Sequence, residues 1–173
     1  MSGKIVGIVI MISALLAGGA LYYLQVYGFY EEASADLQQV QLLPLGADTP
    51  VPILAENIEA IDADSSPIRF RACFTTPSSL AMLTETYAGL ERAVPRNAPE
   101  WFACFDAAAI AEELKAGTAL AFIGEKNVDF GVDRIVAITQ DGRGYIWHEL
   151  NDCGEKAYDG TIVGEECPRR ESN

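Results

Sequence analysis

From Ile5 to Tyr30 the chain reads IVGIVIMISALLAGGALYYLQVYGFY, without one charged side chain. A helix needs roughly 20 apolar residues to cross a hydrocarbon core about 30 Å thick, and Ile5 to Leu24 already suffices. Any globular part of the protein must therefore be built from residues beyond Tyr30. Tyr22, Tyr23, Tyr27, Phe29 and Tyr30, with Gln25 among them, are the amphipathic rings that favour a headgroup layer. Lys4 precedes the stretch, while Glu31, Glu32 and Asp36 come after it with no Lys or Arg nearby. That asymmetry keeps a short N-terminus in the cytoplasm and sends the remainder outside.

A cleaved signal peptide is the competing expectation. Lys4 would be its n-region, Ile5–Leu16 its h-region and AGGA at 17–20 its cleavage site. Apolar and aromatic residues continue well past that point, which favours a retained helix. Ser13, Ala14, Ala17 and Gly18 would also let two such helices pack closely, a weak signal on its own.

Of the 12 Lys and Arg, only Lys4 lies before residue 31, so the exported part carries 11 basic against 25 acidic residues, a net charge of −14. Such a surface repels nucleic-acid phosphates and anionic lipid headgroups. Nucleic acid is not an expected partner, and lipid contact is expected only through residues 5–30. A charged partner would be a basic protein or a cation, although acidity also serves plain solubility.

Cys73, Cys104, Cys153 and Cys167 all lie beyond the apolar stretch, in a compartment where disulfides persist. Zinc is not expected: there is no Cys-x-x-Cys, and His148 is the lone histidine. The missing Cys-x-x-Cys also removes the thioredoxin-like redox pattern. Three pairings are open to four cysteines. Cys73 with Cys104 and Cys153 with Cys167 is favoured, because each pair brackets a self-contained segment.

Residues 31–52 read as a juxtamembrane connector contributing at most one edge strand, since three prolines fall near its end. NIEAIDADSSPIRFRACF comes next as two strands joined by Asp64-Ser65-Ser66-Pro67, with Ile68, Phe70, Ala72 and Phe74 alternating against Arg69, Arg71 and Cys73. Asp62, Asp64 and Ser66 imitate the start of a calcium loop, but Pro67 and Cys73 occupy the positions of its glycine and glutamate. A first helix is expected from an N-cap at Thr76 and Pro77, with Leu80, Leu83, Tyr87, Leu90 and Val94 on one stripe. A second is expected between the N-cap Asp106 and Gly117, with Ala107, Ile110, Ala111 and Leu114 inward and Lys115 in its last turn.

TALAFIG at 118–124 reads as a buried strand, and VDRIVAITQDGRGYIWHEL as a hairpin around Asp141-Gly142. That dipeptide suits a two-residue type I′ turn. Taken so, the turn sets Ile138 opposite Tyr145, Val136 opposite Trp147 and Arg134 opposite Glu149 on one face. Arg134, Tyr145, Trp147 and Glu149 then form a candidate site for a carboxylate or planar ligand, or simply an aromatic patch with an ion pair at its rim. His148 falls on the other face across from Ile135, where a hydrogen-bonded core histidine competes with a titrating or ligating one. No Gly-x-Ser-x-Gly elbow, phosphate loop or kinase motif set is present. A hydrolase would have to use His148. No catalytic residue, cofactor or metal site is assigned.

IDADSSPIRFRACF, WFACFDAAAIAEELKAG, GVDRIVAITQDGRGYIWHELNDCGE and ECP behind YYLQVYGFY together resemble a family of short, single-pass, membrane-anchored alphaproteobacterial proteins with no assigned function. The likeness covers nearly all of the chain beyond residue 20. It implies an inner-membrane tether with a periplasmic domain and carries over no catalytic residue. The expected organisation is residues 1–4 cytoplasmic, 5–30 a signal-anchor helix, 31–52 connector, 53–168 a periplasmic domain and 169–173 a tail. The expected fold is α+β, an antiparallel sheet of four to six strands with two helices on one face. The leading expectation for function is a non-enzymatic accessory or interaction module with an envelope protein as its partner. A small-ligand binding or sensing domain comes next, then a hydrolase.

Overall fold

The computed structural model of the protein describes residues 3–33, 39–164 and 167–168. Parts of the expected N-terminus and connector, and the 169–173 tail, lie outside them. Helix α1 spans Gly3–Tyr23 and continues into a π-helical turn at Leu24–Gly28. None of its side chains is buried against the rest of the protein. By length and composition this helix is able to cross a membrane. Its one serine hydroxyl is satisfied internally, Ser13 Oγ donating to Val9 O at 2.8 Å and lying 3.0 Å from Ile10 O.

The domain is α+β, as its alternating patterns imply. Among the described residues nine strands follow α1: β1 Glu31–Glu32, β2 Gln41–Leu42, β3 Val51–Pro52, β4 Glu56–Asp62, β5 Arg71–Thr75, β6 Gly89–Leu90, β7 Ala119–Asp129, β8 Val132–Thr139 and β9 Arg143–Leu150. Helix α2 is Leu80–Thr86 and α3 is Ala107–Ala116. Seven strands form one antiparallel sheet in the order β1-β4-β5-β9-β8-β7-β6, and β2 with β3 forms a separate ribbon. Seven exceeds the four to six expected because the dipeptide strands β1 and β6 carry no periodicity of their own. Val40, Leu42 and Leu43, in the expected connector, are buried in the core. Leu43 N–H donates to Ile123 O at 2.9 Å and Leu43 O accepts from Ala88 at 2.8 Å, which threads the segment along the edge of β7.

The two helices cover opposite faces of the sheet. Leu83 of α2 packs with Leu42, Phe70, Phe74, Phe122, Val136, Ile138 and Ile146. Ile110 of α3 packs with Phe105, Ala121, Ile135, Ala137, Tyr145 and Trp147. Odd and even residues of β8 thus serve different cores, and β5 and β8 are buried on both sides. This corrects the expectation of two helices on one face: a strand covered on both sides reads as a continuous apolar run and does not say which face a helix takes.

α3 has the predicted caps, with Asp106 Oδ1 accepting from Ala108 and Ala109 N–H at 2.9 and 3.1 Å and Gly117 left-handed at φ 73°. α2 departs from expectation at both ends. Thr76 N–H donates to Gly142 O at 2.8 Å, which ties Thr76 to the turn between β8 and β9 just past the end of β5, and Ser79 becomes the N-cap, its hydroxyl accepting from Met82 N–H at 3.3 Å. Tyr87 is extended, and Gly89 and Leu90 pair with Phe122 and Ala121. Strand pairing stops the helix at Thr86 and leaves Val94 exposed.

The β8–β9 register is one residue from that of a two-residue turn. Arg134 pairs with His148, Val136 with Ile146 and Ile138 with Gly144. Of the turn dipeptide only Gly142 has positive φ, 84°, whereas type I′ demands two such residues. The loop is therefore the three-residue kind, closed by the Thr139 hydroxyl, which accepts from Arg143 N–H at 3.0 Å. Gly144 is placed so that the Phe74 ring fills the space of a side chain: a Cβ there would lie 2.1 Å from Phe74 Cζ.

Candidate functional site

A slip of one residue exchanges the two faces of a strand, and here it divides the expected site. Tyr145, Trp147 and Glu149 lie on the α3 face, and Arg134 shares the α2 face with His148. The expected Arg134–Glu149 ion pair does not exist. Glu149 Oε2 instead accepts from Val94 N–H at 3.1 Å and Trp147 Nε1–H at 3.3 Å. Trp147 is wholly buried, and Phe105 meets both Tyr145 and Trp147 edge-on. These aromatic groups form core beneath α3 and the preceding loop, with no face open to a planar ligand.

Arg134 and His148 form a buried polar pair where the α2 face opens. Arg134 Nε–H donates to His148 Nε2 at 3.2 Å, and Nδ1 of the same ring lies 2.6 Å from Pro67 O. Together these fix the neutral tautomer with the proton on Nδ1. Phe70 stacks on the imidazole at 4.9 Å, and the Arg134 guanidinium lies 5.0 Å from the Phe70 centroid. Burial holds the His148 pKa down at about 4, with the positive charges of Arg134 and Arg71 adding to that effect and the Pro67 carbonyl opposing it. Arg134 is likewise lowered by burial and partly sustained by Glu125, 3.7 Å away.

The pair floors a cleft of about 330 Å³ whose walls include Asp62, Asp64 and Asp129. Burial raises the Asp62 carboxyl above its ordinary range, although Ala63 N–H donates to it at 2.8 Å. The cleft suits a small polar molecule. His148 itself is not a ready general base there, because both of its ring nitrogens are already engaged. Among the described residues no group of three His, Cys, Asp or Glu is placed to hold a metal ion.

Cys73 is joined to Cys104 and Cys153 to Cys167, the favoured of the three pairings. The first bond ties β5 to the loop before α3. The second closes an exposed loop after β9.

A second polar concentration lies where α1 meets the domain. Trp101 Nε1–H donates to Val26 O at 2.7 Å, the Tyr30 ring meets Trp101 edge-on at 6.0 Å, and the Arg69 guanidinium sits 5.6 Å from the Tyr30 centroid. Beneath them Arg71, 4% exposed, donates to four main-chain carbonyls, those of Ile68, Phe70, Arg96 and Asn97, at 2.6–3.0 Å. Burial lowers the Arg71 pKa to about 10. The alternation of Arg69 and Arg71 with Cys73 was the one signal for this cluster, since it puts all three on the face that Cys104 must reach.

The fold is a disulfide-stapled α+β domain behind a helix of membrane-spanning length. The chain belongs to DUF6446, a family of unknown function, which matches residues 40–168. The match begins at the buried Val40 and takes in all four cysteines. No curated protein and no solved structure matches the chain.

Proposed function

We propose that the protein is an accessory module of the bacterial inner membrane, anchored by one retained helix, with its domain in the periplasm and an envelope protein as its partner. The observation that carries this reading is the seat of the domain on the helix exit, where Trp101 bonds to Val26 and Tyr30 packs between Trp101 and Arg69. A domain tied down in this way keeps a set height and orientation above the bilayer, which serves contact with a neighbour in the same membrane. Lys4 in the first turn of the helix and Glu31 and Glu32 after it support the orientation. Two disulfides support an oxidising compartment. The net charge of −14 beyond residue 30 favours a partner with a basic surface.

A binding or sensing role is the second reading, supported by the cleft over Arg134 and His148. It replaces the face expected from the two-residue turn.

Crosslinking in native membranes tests the first reading. A discrete adduct with an envelope protein is expected, weakened by high salt and by Trp101→Ala. A reporter fused after Asn173 should behave as periplasmic. A cytosolic reporter, or a chain that crosslinks to nothing, overturns the proposal.

A further inference from the structure

We propose that the cleft over Arg134 and His148 binds the zwitterion of a free α-amino acid, its carboxylate on Arg134 and its ammonium among Asp62, Asp64 and Asp129. The inference rests on the binding reading of that cleft and names the class of ligand.

Unspent donors at the floor are the first argument. A guanidinium has five N–H donors, and the Arg134 side chain is only 7% exposed. Its Nε–H is given to His148 Nε2 at 3.2 Å, and its flat face rests over the Phe70 ring. Nη1 has Glu125 at 3.7 Å, beyond hydrogen-bond length. Nη2 has neither a hydrogen-bond nor an ion-pair partner among the described residues. The buried side-chain nitrogens left without an acceptor belong to Arg69 and Arg96 and not to Arg134. The outer end of the Arg134 fork therefore keeps an open face, and the space it borders is the cleft. That end of a guanidinium suits the two oxygens of a carboxylate.

The walls supply the opposite charge. Asp62 Oδ1 accepts from Ala63 N–H at 2.8 Å and Asp129 Oδ1 from Phe130 N–H at 2.6 Å. Each keeps a second oxygen without a hydrogen bond among the described residues, and Asp64 stands exposed at the rim. Burial raises the Asp62 carboxyl, and the charge of Asp64 adds to the rise. An ammonium beside the two relieves that repulsion.

The combination selects among small ions. His148 is neutral, so three carboxylates face one guanidinium. A lone carboxylate or phosphate meets net repulsion there, and a diamine leaves the Arg134 donors unmet. Among the described residues no group of three ligands is placed for a metal ion. A molecule with one ammonium and one carboxylate answers both ends. The volume of about 330 Å³ is at the small end of ligand pockets, which run from roughly 300 to 1,000 Å³.

Isothermal calorimetry on the full chain in detergent tests this. The probes are the free α-amino acids one by one, the N-acetyl and amide derivatives of any that binds, and acetate and putrescine as ions of one sign. At least one free amino acid should bind, and blocking either end should weaken it at least about tenfold. Arg134→Gln and Asp64→Asn should each weaken it by about the same factor, while Arg92→Gln, at an exposed position outside the cleft, should not. Asp64 is exposed, so its variant reports in the event that Arg134→Gln misfolds. Acetate or putrescine binding as well as the amino acid, with the same dependence on Asp64, overturns the proposal and leaves the binding reading standing. Affinity indifferent to both substitutions places the ligand elsewhere and overturns the proposal. It falls also if no probe binds; the binding reading falls with it if a fragment screen by NMR then finds no molecule whose binding responds to Asp64→Asn.

Discussion

The two faces of the sheet are closed by different means. Under α2 the cover is apolar shape: Phe70, Phe74 and Phe122 interlock with Leu42, Leu83 and Ile146, and Phe74 fills the space left by Gly144. Under α3 much of the cover is the irregular chain between β6 and α3, whose main-chain groups need partners of their own. Arg71 supplies donors to the carbonyls of Arg96 and Asn97, Glu149 accepts from Val94, and the Cys73–Cys104 bond holds the end of that segment. Regular structure brings its hydrogen bonds with it, whereas a loop laid over a core must be tied down by directional bonds.

Removing a large core side chain from each face probes that difference. Trp147→Ala should cost about 4 kcal/mol and Leu83→Ala about 3 kcal/mol in urea unfolding of the detergent-solubilised chain. Limited proteolysis separates the mechanisms. Trp147→Ala also leaves Glu149 without one of its donors, so cleavage should appear between Leu90 and Asp106, while Leu83→Ala should leave that segment protected. Equal protection in both variants would mean that the α3 face also closes by shape alone.

The disulfides extend the contrast. In the chain-entropy picture, loops of 31 and 14 residues contribute about 3.7 and about 3.0 kcal/mol. Their surroundings separate them further. Cys73 is buried in the α3 core, while Tyr158, Ile162 and Val163 within the second loop are exposed. Cys73→Ala with Cys104→Ala should therefore lower global stability by about 3 to 4 kcal/mol. The Cys153→Ala, Cys167→Ala pair should shift it by less than about 1 kcal/mol, because that loop opens without disturbing the sheet. A similar loss from both double variants would place the second loop inside the cooperative unit.

What could be read beforehand divides along the same line between local and long-range causes. Asp106 and Gly117 mark the ends of α3 because caps act within a few residues, and Ile5 to Tyr30 marks its helix through the absence of charge. The turn at Asp141-Gly142 was legible as a turn but not in its length, since the dipeptide fits both a two-residue and a three-residue loop. That ambiguity moved Arg134 from the company of Trp147 to that of His148, and with it the candidate site. The stripe from Leu80 to Val94 has helical spacing throughout, yet Gly89 and Leu90 pair with β7, a partner some thirty residues away that no local period announces.

The last effect concerns the buried polar pair on the α2 face and is read from its dependence on pH. His148 in the folded chain has a pKa of about 4 against an ordinary 6.5. Below pH 6.5 the unfolded chain takes up a proton that the folded chain refuses, so stability falls as pH drops from about 6.5 toward 4. The full gap corresponds to about 3 kcal/mol, of which about 2 kcal/mol would be expressed between pH 7 and 5. Asp62, raised by burial, protonates in the folded chain more readily than when unfolded and so works in the opposite sense toward the acid end, which makes the pH 5–7 window the cleaner one. His148→Gln removes this titration, and its unfolding free energy should change correspondingly less between pH 7 and 5. An unchanged slope in that variant would show that the imidazole charges without penalty. Arg134 and His148 would then be a solvated pair at the cleft floor, and the α2 face would no longer be the one closed by apolar shape.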